Sequence, residues 1–572
     1  MFVDQIEINN FRGVRNLSLK LDDTTVLIGE NNTGKSTILA ALEACLRRKP
    51  TRGGSTFSEY DYHLPEKDSQ PTESAGIEIT LRFVERYTNE WPDGVVQTLA
   101  AVVQVCNDGR QSVVFRVRGS YDDSLEDFVA SWDFLDLEGN ELVGVGNSLN
   151  STALQQLAPV FYLSALRDSA REFRPRGQFW SPFVRSLKMD PDVRRELEYE
   201  FAELNKRVLD ANESFSVVEK RLGKTAKMVP LASDDAVGIE AIPSRVFDIM
   251  SRTQVLLSST TGARLPIGRH GEGTQSLAVI CLFDAFLRSR LEDAYREHAS
   301  PILALEEPEA HLHPSAIHSV AALLQELPGQ KIVATHSGDL LGACPITSLR
   351  RLRRKNGEIT VYHLEEGVLN EDQKRKINHH IRASRGSVLF ARCWLLVEGE
   401  SDRLILEGCA RTLNRDLPNE GISCIEYQQI ASVDILTKFA DQMGIEWFVV
   451  ADKDSAGDRY VRSAKRQIGD REEARHISQL HHGNLEVFLC NEGYGHIYER
   501  NVSRQKESKI THQRGDPGYW TQVVEAQRGG SKTKNAVEVV EEMKKRGSEG
   551  VPQQMRDIIE FALNLAEEAR DG

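Results

Sequence analysis

Ile28-Gly29-Glu30-Asn31-Asn32-Thr33-Gly34-Lys35-Ser36-Thr37 follows the apolar run Thr25-Val26-Leu27-Ile28 and leads into Ile38-Leu39-Ala40-Ala41-Leu42. A strand, a glycine loop and a helix in that order form a phosphate cradle. The glycines let successive backbone N–H groups turn toward one anion, and the start of the helix adds positive potential. The spacing puts Lys35 within reach of the β- and γ-phosphates of a nucleoside triphosphate and Ser36 on the accompanying Mg²⁺. Gly29, Asn32, Gly34 and Thr37 complete the loop. The prediction is an α/β fold with ATP at the strand ends.

Three later stretches fit the same site. The apolar run Ile302-Leu303-Ala304-Leu305 ends in Glu306-Glu307-Pro308-Glu309. Glu306 would hold the Mg²⁺ shell, and Glu307 would orient and deprotonate the attacking water. Aspartate is usual at the first position, but either carboxylate suits a hard cation. Ile332-Val333-Ala334-Thr335-His336-Ser337 delivers His336 from a strand end toward the γ-phosphate. Gly268-Arg269-His270-Gly271-Glu272-Gly273-Thr274-Gln275-Ser276 opens an apolar helix.

Together with the opening Ile8-Asn9-Asn10-Phe11-Arg12, these motifs resemble the ATPase heads of the ABC type found in the SMC, RecF and OLD (overcoming lysogenization defect) group. The resemblance spans roughly 1–345. It implies that Gly271, Gly273 and Gln275 serve as a signature turn completing the ATP site of a second subunit, hence a homodimer or tetramer. Tyr60-Asp61-Tyr62-His63 is the candidate Q-loop.

A second constellation follows. Trp394-Leu395-Leu396-Val397 ends in Glu398-Gly399-Glu400-Ser401-Asp402, and Trp447-Phe448-Val449-Val450 ends in Ala451-Asp452-Lys453-Asp454. Two strands thus deliver acids to their C-terminal ends, where open α/β sheets place ligands. The oxygen set suits Mg²⁺ or Mn²⁺. These residues resemble the Toprim motif of topoisomerases, primases and OLD nucleases. That resemblance gives Glu398, Asp402, Asp452 and Asp454 the places of its metal-binding acids. It makes Glu486 the acid for a second metal, and Lys532 the late catalytic lysine, with Lys534 as a substitute. Glu400 and Asp458 stand nearby. The implied activity is a two-metal DNA endonuclease regulated by its ATPase. Ser58 to His63 and the domain order are similar to class 2 members, including the nuclease subunit of the Gabija anti-phage system, which pairs with a superfamily-one helicase.

Composition sets the frame. The 572 residues carry 71 Lys and Arg against 85 Asp and Glu, a net charge of −14. A protein coated with basic residues is excluded, and only a local basic groove suits nucleic acid. The eight cysteines are scattered without a C-x-x-C pair, which excludes a zinc ribbon and fits a reducing cytoplasm. No apolar run is long enough for a membrane span. The expected layout is an ATPase split over 1–180 and 250–348, a helical insertion over 181–249 for self-association, a basic linker over 349–390, and a Toprim domain with helical extension over 391–572. Residues 75–117 read as an antiparallel sheet, and Lys534 to Ala569 as helix. A RecF-like DNA clamp without nuclease activity is the main alternative, and the acids at Glu398, Asp452 and Asp454 oppose it. A topoisomerase or primase lacks the room or the zinc cysteines.

Replacing Lys35 by Ala should abolish nucleotide binding, because the loop loses its phosphate cation. Calorimetric titration of the variant with ATP should give no saturable binding where the parent saturates. An unchanged affinity would contradict the cradle.

Overall fold

The computed structural model describes residues 1–47, 56–64, 66, 68–163, 189–211, 214–215, 217–218, 239–250, 256–258, 262, 264–289, 291–384, 386–428 and 432–570. Three sheets organise these residues. The first is antiparallel, in the order Val14–Lys20, Val3–Phe11, Ile77–Val84, Gln111–Asp122, Gln104–Val105, with Asp127–Leu135 also on Gln111–Asp122. The alternating β-formers after residue 75 account for its centre, as expected.

The second sheet carries the nucleotide motifs. Its order is Glu358–Tyr362, Leu349–Lys355, Thr24–Ile28, Gln330–Ala334, Ile302–Glu306, Val160–Leu163. All neighbours are parallel except the hairpin at the first edge. The P-loop strand Thr24–Ile28 and the acid-bearing strand Ile302–Glu306 are therefore separated by the strand that delivers His336. Side chains alternate across each strand. Ile302 and Ala304 join a core with the helix Lys35–Leu46 and the antiparallel sheet, while Leu303 and Leu305 face the helices Glu272–Ser289 and Pro314–Glu326. This is the ATPase head that the motifs imply.

The third sheet is wholly parallel, in the order Ile422–Glu426, Cys393–Val397, Glu446–Ala451, Ile477–Gln479. Cys393, Leu395, Val397, Phe448 and Val450 pack on the C-terminal helices. Trp394, Leu396, Trp447 and Val449 point the other way, into a core shared with Val26 and Ile28 of the P-loop strand. The two halves thus share buried apolar surface.

The stretch 349–390 is no loose linker. Leu349–Lys355 extends the ATPase sheet beside the P-loop strand, and its arginines are structural. Arg351 donates to the carbonyls of Met443, Gly444 and Ala391 at 3.0, 2.7 and 3.0 Å. Arg353 reaches Gly444 O and Ala569 O at 3.0 and 2.6 Å, and Arg354 reaches Gly13 O at 2.6 Å. The guanidinium groups of this strand satisfy backbone carbonyls. The C-terminal helical region is two helices, Ser531–Arg546 and Gln553–Glu568, broken by the turn Gly547–Gly550. Of the helical insertion, the long helix Pro191–Asp210 is described, and none of its residues is buried; most of the remainder lies outside the described residues. No described helix is long and apolar enough to cross a membrane.

Arg351→Ala should destabilise the whole chain by about 3 kcal/mol, since three buried carbonyls lose a charged donor. Arg351→Lys should recover less than half, because an ammonium cannot serve three carbonyls in one plane. Urea unfolding of parent and variants measures both; a variant as stable as the parent would refute the role.

Candidate active site with an acid cluster

Two sites lie at the ends of the parallel strands. At the first, Gly29 adopts φ +153°, and a Cβ there would sit 2.5 Å from Leu352 O, so only glycine lets the loop pass so close to the neighbouring strand. Asn32 is left-handed at φ 65°, and Gly34 caps the helix Lys35–Leu46 at φ 98°. Lys35 is buried, with Nζ donating to Gly29 O and Glu30 O at 2.9 and 2.8 Å. The Ser36 hydroxyl donates to Glu306 Oε1. P-loop and acid strand therefore meet where the sequence places Mg²⁺. Thr37 follows in the first turn of the same helix.

Glu307 has φ 45° and donates its N–H to Ala334 O at 2.8 Å, which ties the acid strand to the histidine strand. The His336 ring stacks on Phe390 with centroids 6.5 Å apart, and burial followed by the charge of Lys35 lowers its pKa. Both face a cavity of about 470 Å³ that Gly29, Glu30, Asn31 and Arg351 also line. Gly271 precedes the helix Glu272–Ser289, whose first turn holds Gly273 and Gln275, and Gly273 lies against His311 O and Leu312 of the turn after the acid strand. Gln275 Nε2 donates to His270 O at 2.6 Å. Of the candidate Q-loop, Asp61 pairs with Arg12 at 2.8 Å and Tyr62 bridges to Phe11.

Two residues here escaped sequence reading. Tyr162 donates its hydroxyl to Glu306 Oε2 at 2.6 Å, so both oxygens of that carboxylate are held. Only the parallel pairing of Val160–Leu163 with Ile302–Leu305 reveals it, and such pairing leaves no local sequence mark. Glu309 accepts from the Thr335 hydroxyl and, at 3.1 Å, from Ser337 N, bracketing His336.

The second site gathers the acids. Glu398 and Asp452 directly follow the strands Cys393–Val397 and Glu446–Ala451. Asp402 lies in the first turn of the helix Glu400–Thr412 and accepts from Gly399 N at 3.1 Å. Asp454 caps the helix Ser455–Lys465, accepting from Gly457 N at 2.7 Å. A Cβ on Gly457 would fall 1.9 Å from Asp452 O, so the D-x-D turn closes only around glycine. Glu486 is buried in the short helix Leu485–Leu489, whose first N–H donates to Asp452 Oδ1 at 3.1 Å. Lys532, in the first turn of Ser531–Arg546, sits 3.2 Å from Glu486 Oε1. Lys534 turns away to Glu538 on its own helix at 3.6 Å, so helical phase separates the two lysines. Glu400 accepts from Thr533 at 3.5 Å and Asp458 from Gln479 at 2.7 Å.

Burial and then mutual repulsion dominate this cluster. Burial, then the charges of Asp402, Glu398, Glu486 and Asp454, push Asp452 up to about 8. Burial, then Glu486 and Glu398, push Asp402 up to about 7. Burial and the Asp454 charge raise Glu398. Glu486 first, then Asp452 and Asp402, raise Lys532. Glu398 Oε1 accepts from Gln428 at 3.3 Å, while its buried Oε2 has no hydrogen-bond partner among the described residues. An orphaned carboxylate oxygen amid like charges fits a hard divalent cation. As placed, no three His, Cys, Asp or Glu among the described residues converge closely enough to hold one ion. Gln428 was not legible as a neighbour of Glu398, since the pair lies across a parallel strand crossover.

The family model described as Protein of unknown function (DUF2813) matches residues 1–388, and that of the Overcoming lysogenization defect protein-like TOPRIM domain matches 389–454. The chain is 30% identical to Uncharacterized protein YbjD of Escherichia coli (strain K12), covering 99% of each. It is 27% identical to the OLD nuclease of Thermus scotoductus (strain ATCC 700910 / SA-01), covering 79% of this chain and 81% of that one. It is 23% identical to Endonuclease GajA of Bacillus cereus (strain VD045), covering 71% and 67%. With a family model over more than half of its length and a relative matched from end to end, the chain belongs to the DUF2813 family, and its residues 389–454 match the OLD-like TOPRIM domain.

Proposed function

We propose that this chain is an ATP-binding, divalent-cation-dependent DNA endonuclease whose ATPase half regulates cleavage. The observation that carries this reading is that two adjacent parallel strands end in Glu398 and Asp452, with Asp402 and Asp454 in the turns that follow, Leu485 N–H on Asp452 and Lys532 on Glu486. The named OLD and GajA nucleases among its relatives support it. A defence role and a helicase partner, implied by the resemblance of the sequence motifs alone, belong to the same proposal. The signature turn and the exposed apolar Val193, Tyr199, Leu204 and Val208 of Pro191–Asp210 support self-association.

Each residue has a chemical task. Glu398, Asp452, Asp454, Asp402 and Glu486 would hold cations with carboxylate oxygens, and Glu398 Oε2 is free to turn inward. Two cations bound there would supply an activated water and charge neutralisation at the leaving oxygen. Lys532 offsets charge on the phosphate and keeps its proton through its contact with Glu486. At the other site, Lys35 would bind phosphate, Ser36 and Glu306 would hold Mg²⁺, Glu307 would orient water and His336 would meet the γ-phosphate.

Asp452→Ala and Asp454→Ala should each lower plasmid nicking by about 100-fold or more, leaving ATP affinity unchanged. Lys532→Ala should slow cleavage while sparing cation binding, Lys534→Ala should act weakly, and chelation should abolish cleavage in the parent. A supercoiled-plasmid assay with Mg²⁺, Mn²⁺ or chelator reads all of these. Full activity in both aspartate variants would leave the clamp-like ATPase as the better account.

A further inference from the structure

The chain as a whole repels polyanions, yet residues 500–534 reverse its sign, with eight Lys and Arg against three Asp and Glu. The fold presses two parts of this segment together. Val502 bridges Gln527, Ser503 N donates to Ala526 O at 2.9 Å, and Asn501 Nδ2 donates to Asn535 Oδ1 at 2.9 Å. Arg504 and Arg528 thereby flank one bridge, both exposed and without an ion pair among the described residues. Arg500 and Lys534, each 66% exposed, lie 3.7 and 3.6 Å from the same Glu538. Lys532, 71% exposed, continues the face to Glu486 and so to the acids.

We propose that Arg500, Arg504, Arg528, Lys532 and Lys534 form one face that grips the sugar-phosphate backbone of duplex DNA beside the acid cluster; this deepens the nuclease reading and rests on it. Guanidinium forks match phosphate oxygens, and a line of cations follows a backbone without reading bases. The partly exposed aromatics of the segment, Tyr519 and Trp520, pack edge to face on one another with Arg514 over the Trp520 ring, so they are engaged within the fold rather than offered to unstacked bases. A duplex, whose bases are already stacked, needs no such platform. The cations also resolve a conflict of charge: DNA must approach carboxylates, and phosphates gripped on this face are held there by attraction from the side.

The test uses the full chain with Arg504→Glu and Arg528→Glu combined, and with both changed to Ala. A fluorescein-labelled duplex is titrated with Ca²⁺ present at several salt concentrations. Kd for the double Glu variant should rise about tenfold or more, and each lost contact should reduce the slope of log Kd against log salt by about one. ATP affinity and thermal melting should match the parent. A parent that binds the duplex but does not cut it leaves the face standing and removes the nuclease reading. A variant that binds duplex with the parent's affinity and salt slope overturns the face, whether or not the parent cuts. A loss confined to single-stranded DNA or RNA probes also overturns it.

Discussion

One guanidinium, that of Arg351, donates to three main-chain carbonyls across the seam between the two halves, and their relative placement depends on it. It leaves the ATPase sheet one strand away from the P-loop and ends at the loops that start both acid-bearing Toprim strands. Glu30 of the P-loop meets Arg392 there at 3.2 Å, one residue before Cys393–Val397 begins. Each of these strands is thus anchored at one end beside the nucleotide loop and carries an acid, Glu398 or Asp452, at the other. At about 3.3 Å per residue, the five residues of Cys393–Val397 span roughly 17 Å of stiff backbone.

Electrostatics at the far end explains why the acids need their surroundings. Burial makes the charges of Glu398, Asp402 and Asp452 costly, and neighbours of like sign add to the cost. Backbone N–H groups of Gly399, Gly457 and Leu485 relieve Asp402, Asp454 and Asp452 in turn. Lys532 relieves Glu486. Among the described residues, the buried Glu398 Oε2 finds no hydrogen-bond partner, a demand that a cation would meet.

What the sequence disclosed follows from how local each signal is. The phosphate loop, the Glu306 strand and the D-x-D turn are contiguous, so composition and order suffice to place them. Tyr162 on Glu306, Gln428 on Glu398 and Arg392 on Glu30 join residues far apart in the chain through parallel pairing or the seam, and nothing local marks them. The basic run after Arg350 reads as a connection between domains, but its composition does not tell that its arginines serve carbonyls inside the protein. Lys532 and Lys534 could not be separated by composition, and the 100° turn between successive helical residues separates them.

The shared core has a consequence for how the chain can be divided. The boundary between the two family matches, at 388 and 389, falls between residues that pack together, since Val26, Ile28, Leu341 and Leu349 meet Trp394, Leu396, Trp447 and Val449. Each such side chain returned to water forfeits about 1.5–3 kcal/mol. A fragment cut at that point would carry an adhesive apolar wall where its other half had been. The two modules are separable as text and continuous as a solid.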